Sequence, residues 1–183
     1  SGDLVVSYVQ LVEGTLDEDK MFGTDDLMAQ REMQGETLCC PVRGCSTRVP
    51  AQKRTFVAAK EFFCPVHRIY VGKTTFEYEI EEANFLWTDA ADRERLATAR
   101  KCKRESRMNR ERSEDALTWN VFRHLEAGGR LGAWASTVTG HCETGTKVHY
   151  WSCDEATGVT WVPLAEARDA FGELDGHGSE PDL

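Results

Sequence analysis

Hydrophobic and polar positions change character three times along the chain. Residues 4–12, LVVSYVQLV, are almost all apolar or β-branched and read as a buried strand or the start of a core helix, between which periodicity does not choose. Residues 13–37 are polar and acidic, with a helix expected over 25–33 that Gly35 ends. Short β-branched and aromatic runs then predict strands at 54–57, 69–71 and 75–80, the last two joined by a Gly-Lys turn. An apolar knot, Asn84-Phe85-Leu86-Trp87, precedes Thr88 or Asp89, either of which can cap a helix over 90–104. Ser113 caps a second helix with Glu114 and Asp115 in its first turn, where the macrodipole favours acids. Its stripe is Leu117, Val121 and Leu125, and Gly128-Gly129 ends it. Beyond Leu131 the pattern turns β: 134–138, 147–153 and 159–163 predict strands, 154–158 the turn of a hairpin, and 164–171 a short helix. Trp119, Trp134, Trp151 and Trp161 are expected to fill the core, and no internal repeat is read.

Four residues inside this pattern carry chemistry. Cys40, Cys45, Cys64 and His67 read Cys-x4-Cys-x18-Cys-x2-His, in the frames CPVRGC and FFCPVH. Tetrahedral Zn²⁺ takes four soft or borderline donors, and closely spaced pairs let two short turns each supply two of them. Pro41, Gly44 and Pro65 are the turn residues, and 18 intervening residues suit a strand pair. Structural Zn²⁺ is therefore the expected cofactor, with Cys39 a spare donor beside Cys40. The implied fold is α+β: a zinc-ribbon-like module followed by helices packed on a small antiparallel or mixed sheet. The implied organisation is an N-terminal extension (1–37), the zinc module (38–87) and an α+β region (88–183).

Other donors are less coherent. His141, Cys142, His149 and Cys153 have no knuckle spacing and read as a packed strand cysteine with exposed histidines, and Cys102 among Lys101, Lys103 and Arg104 has no neighbouring base. No phosphate loop, nucleophile elbow or His-Glu-x-x-His helix is present.

The chain of 183 residues is 40% hydrophobic, and no run reaches the length of a membrane span. Seven cysteines, several in metal-type spacing, point to a reducing, cytoplasmic setting rather than a secreted disulfide scaffold. Net charge is −9, against a surface that grips nucleic acid everywhere. Yet residues 93–112 hold nine Lys or Arg against three Glu. Arg100, Lys101, Lys103, Arg104 and Arg107 of this stripe are the expected contacts to nucleic acid, with DNA the favoured form.

The stretch RESRMNRERSEDALTWNVFRHLE (104–126), followed at the end by GSEPDL, resembles the front half of the PD-(D/E)XK nuclease superfamily. It is also similar to bacterial proteins with a CPVxGC…FFCPxH knuckle. The resemblance implies Mg²⁺-dependent phosphodiester hydrolysis, with Asp182 as the motif's Asp and Glu114, or in second place Glu111, as the acid of the first helix. The Glu-x-Lys strand of that family does not occur before Leu183, so this reading makes the chain the N-terminal region of such a nuclease. The alternative is a non-catalytic zinc-binding module for nucleic-acid or protein interaction.

Overall fold

A computed structural model describes residues 24–28, 33–53, 55–103, 106–142 and 144–172. Within them the protein is α+β, with four α-helices and small antiparallel sheets. It divides into two compact units. The first takes the described residues up to Ala83 together with Asn109–Glu111; the second takes Asn84–Met108 and the described residues from Arg112 on.

The first unit is built from two three-stranded sheets: β1 (Met33–Gln34), β2 (Thr37–Cys39) and β3 (Arg48–Pro50) in one, β4 (Phe63–Cys64), β5 (Ile69–Val71) and β6 (Phe76–Tyr78) in the other. Period-2 alternation selects the core. Leu38 and Val49 pair across β2 and β3 and are buried, while Arg48 and Pro50 stand exposed on either side. Leu38, Val42, Val49, Ile69, Val71 and Phe76 enclose Cys40 and Cys64. Gly72 follows β5 because a Cβ there would lie 2.7 Å from the Phe56 ring and 2.9 Å from the Thr75 carbonyl. The free edge of β6 is covered by 109–111: Tyr78 N donates to Asn109 O (2.8 Å) and Glu111 N to Phe76 O (3.0 Å).

The second unit packs Trp119, Tyr150, Met108, Leu96, Ala99 and Cys153 into one core. Its elements are α1 (Ala90–Ala99), α2 (Glu114–Ala127), α3 (Leu131–Thr139), the hairpin β7 (Cys153–Asp154) and β8 (Val159–Thr160), and α4 (Val162–Ala170). Both expected caps form: Asp89 accepts from Asp92 N at 2.8 Å, and Ser113 accepts from Ala116 N at 3.2 Å. The hairpin turns through Gly158 at φ 68°, a left-handed position that suits glycine.

Several expectations are corrected. The expected strand at 134–138 is the body of α3, which continues from α2 through Gly129 and ends on Gly140 in a left-handed cap (φ 73°). The strand at 147–153 shrinks to Cys153–Asp154, preceded by a tight turn over Tyr150–Ser152 in which Trp151 and Ser152 are left-handed, and that at 159–163 shrinks to Val159–Thr160 because Val162 opens α4 with Pro163 in its first turn. Met33–Gln34 is a strand and Gly35 (φ 62°) a hairpin turn, not the end of a helix. Residues 55–57 form no strand, since Gln52 takes the Val57 N–H on its Oε1 (2.6 Å) and donates to Val71 O (3.0 Å). Helix α1 ends at Ala99 and passes into a 3-10 turn over Arg100–Cys102. On α2 the buried residues are Ala116, Trp119 and Asn120; Leu117 and Val121 of the expected stripe are exposed. Trp119 and Trp151 are buried, whereas Trp134 and Trp161 are exposed. The segment 4–12 and Arg54 lie outside the described residues.

Candidate metal centre

Backbone geometry delivers the four donors. The first turn is pinned at both sides: Cys40 N donates to Thr47 O (3.0 Å) and Cys45 N to Val42 O (3.1 Å), with Gly44 at φ 81° closing the bend. The second is the β4–β5 turn, entered at Cys64 and left through Arg68 at φ 51°. Cys40 Sγ lies 3.4 Å from His67 Nδ1, Cys64 Sγ 3.7 Å from the same nitrogen, and Cys45 Sγ 3.9 Å from Cys64 Sγ. All four donor atoms fall within 4.8 Å of one another, an arrangement that could hold a metal ion. Cys40, not Cys39, is the member of the group: Cys39 is the last residue of β2, where alternation sets it on the face opposite buried Leu38.

Electrostatics of the cluster follow from burial. Burial pushes the Cys40 thiol well above the usual range, helped by the neighbouring Cys64 and Cys45 sulfurs. Partial burial also pushes on the Cys45 thiol, but hydrogen bonds from Thr47 outweigh it and bring that thiol below its ordinary value. Burial lowers His67, keeping its ring neutral and fit to donate a lone pair.

The second unit repeats this hairpin without its ligands, a relationship the sequence did not suggest. A tight turn at Lys60–Phe62, two residues of strand, a four-residue turn and a second strand recur at Tyr150–Ser152 and β7–β8 with the same spacing, although Trp151 (φ 49°) and Ser152 (φ 58°) make the later leading turn left-handed. Gly158 replaces Arg68 at the left-handed position, but Asp154 and Thr157 stand where Cys64 and His67 do. Cys153 is instead a core thiol, pushed up to about 12 by burial and its neighbour Cys102, and it donates to Thr98 O at 3.5 Å. His141 and Cys142 are exposed, and His149 stacks on Trp161 at 5.1 Å. Among the described residues the Cys40 group alone has metal-holding geometry.

The remaining expected residues are scattered. Glu114 is exposed in the first turn of α2; Asp182 lies outside the described residues. Of the basic stripe, Lys103 Nζ lies 2.7 Å from Asp115 Oδ1 and 5.4 Å above the Trp151 ring, with little exposure. Arg100 donates to Ser106 Oγ (3.2 Å), Lys101 and Arg107 are exposed, and Arg104 lies outside the described residues. Arg95 of the stripe closes on Glu126 (3.2 Å) and Glu155 (3.1 Å), and Arg123 closes on Asp92 (2.5 Å) and Glu126 (2.9 Å), with Tyr150 OH donating to Glu126 (3.1 Å). Two guanidiniums thus face three carboxylates inside the second unit.

No helix among the described residues is long and apolar enough to cross a membrane. Comparison of the chain with models of known protein families, with curated proteins and with solved structures finds no match.

Proposed function

We propose that the first unit is a zinc-stabilised interaction module, with Cys40, Cys45, Cys64 and His67 holding one structural Zn²⁺. The spacing of the donors carries this reading. Zn–S bonds of about 2.3 Å and Zn–N bonds of about 2.05 Å at tetrahedral angles put sulfurs about 3.8 Å apart and a sulfur and nitrogen about 3.6 Å apart. The three close donor distances, 3.9, 3.4 and 3.7 Å, match those edges. A closed set of four protein ligands leaves no position for water or substrate, which is the mark of a structural rather than a catalytic site. The surrounding strands are two or three residues long, too short to hold a fold by themselves, so the ion's binding free energy would be folding free energy.

The test is metal analysis of protein purified without added zinc. About one equivalent of zinc per chain is expected, with a chelator lowering the melting temperature. Absence of metal, together with a melting curve indifferent to chelator, would remove this reading. The nuclease reading stands apart: it requires Glu114 and Asp182 to share Mg²⁺, and metal-dependent cleavage by a longer chain carrying a Glu-x-Lys strand is its test.

A further inference from the structure

The sheet of β4, β5 and β6 has two unlike faces. Register pairs Phe63 with Tyr70 and Tyr70 with Glu77, so these share the face opposite Cys64, Ile69, Val71 and Phe76. The Cys64 face is the core. On the other, the Phe63 and Tyr70 rings lie side by side, centroids 5.0 Å apart and tilted by 45°, both partly exposed. Arg68, in the turn just before β5, donates from its Nε to the Glu79 carboxylate at 2.7 Å while its side chain stays 58% exposed. Glu77 is covered by Arg110.

Basic charge is concentrated in one segment of this unit, 37–76, while Asp25, Asp26, Glu36, Glu77, Glu79, Glu81, Glu82 and Glu111 of the same unit lie outside that segment. Residues 37–76 contain seven Lys or Arg and one Glu, whereas the remainder contains fifteen basic and thirty acidic residues. A Zn²⁺ on three thiolates carries a formal charge of about −1, which leaves the segment roughly +5. Arg43, Arg48, Lys53, Lys60, Arg68 and Lys73 of the seven are exposed. Arg43 lies in the first metal-binding turn and Arg68 directly follows His67, so two of these cations border the cluster itself. In the stripe at 93–112, Arg95, Lys103 and Arg110 are each closed on a carboxylate, while Arg93, Lys101, Arg107 and Arg112 are exposed.

We infer that the first unit binds single-stranded nucleic acid, with phosphates on the basic residues of 43–73 and bases against Phe63 and Tyr70. The inference rests on the zinc reading, since Cys64 and His67 bracket the turn that joins the two aromatic-bearing strands. Exposed cations in the same segment as two partly exposed rings suit an unpaired strand, whose bases are free to stack, better than a duplex, whose bases are stacked on each other. The acidic balance outside 37–76 disfavours the phosphate backbone over most of the remaining chain, the basic run at 93–112 excepted.

The experiment is fluorescence anisotropy of a labelled 20-nucleotide oligothymidine, and of the same strand in a duplex, titrated with the full chain. Salt-dependent binding of the single strand is expected. The triple variant Lys53→Glu, Lys60→Glu, Lys73→Glu should flatten the slope of log affinity on log salt by roughly 0.7 for each phosphate it ceases to neutralise. Tyr70→Leu should weaken single-strand binding roughly tenfold with little change in the slope. Zinc content and melting temperature are measured on every sample, so a chain that holds no zinc is counted against the metal reading, not this one. Zinc-loaded protein that ignores the single strand, or binds it equally well in both variants, overturns the inference and leaves a protein as the partner.

Discussion

Arg110 closes on Glu77: its Nε and Nη2 both reach Oε1, at 3.0 and 2.9 Å, while the guanidinium lies 5.6 Å from the Phe56 ring centroid. Glu77 is otherwise almost wholly buried on β6, so a residue more than thirty positions along the chain supplies its counter-charge. Arg110→Ala should therefore destabilise the first unit by about 3 kcal/mol, because it strands a buried carboxylate. Double replacement with Glu77→Gln should recover part of the loss. A urea midpoint unchanged in Arg110→Ala would show that the pair contributes nothing.

Lys103 and Lys101 sit two residues apart in the same basic run but have different surroundings. Lys103 is held between Asp115 and the Trp151 ring, with side chains 11% and 16% exposed in the ion pair, while Lys101 is exposed. Lys103→Ala is expected to cost about 1–2 kcal/mol and Lys101→Ala less than about 0.5 kcal/mol. Thermal melts of the two variants side by side make the comparison.

The two adjacent cysteines at the first turn separate in the same way. Cys40→Ser should abolish metal retention, since it removes a member of the donor group, whereas Cys39→Ser should retain metal in full. Cys64→Ser should behave like Cys40→Ser. Metal affinity should fall as pH falls, because each thiol must lose its proton to bind and acid restores it. Zinc content after dialysis across a pH series reads both effects.

Glu155 gives a pH-dependent prediction with a definite sign. Burial raises its carboxyl above the ordinary value although Arg95 opposes the shift, and its Oε1 is buried without a partner. A carboxyl raised on folding binds more protons in the folded than in the unfolded state, so stability falls as pH rises through its titration. Glu155→Gln, which keeps an acceptor for Arg95 but no charge, should stabilise the protein at neutral pH. The gain should vanish as the medium is acidified below the raised value. Urea denaturation of both proteins from pH 7 to pH 4 is the measurement, and a gain that grows on acidification would contradict the assignment.

Features legible in the chain are the local ones. The ligand spacing, the caps at Asp89 and Ser113, the glycine ends of α2 and the turn at Gly158 all act within a few residues, where backbone sterics and short hydrogen bonds decide the outcome. The strands at Ile69–Val71 and Phe76–Tyr78 were legible for the same reason, through β-branched and aromatic residues flanking a tight turn. Packing between distant segments settled the rest. Trp134, Thr137 and Val138 have strand character, yet 131–139 is helical because α2 and a left-handed Gly140 frame it and Trp134 packs edge-on against Phe122 at 5.0 Å. Leu117 and Val121 form as good an apolar stripe as Ala116 and Trp119; the latter are buried because Asn120 beside them clamps Asn84 O and Leu86 N, turning that side of α2 inward. Which cysteine joins the cluster, and the return of 109–111 to cover β6, likewise depend on groups that meet only when the chain folds. Spacing along a chain specifies which donors are candidates, and only packing specifies which of them share a centre.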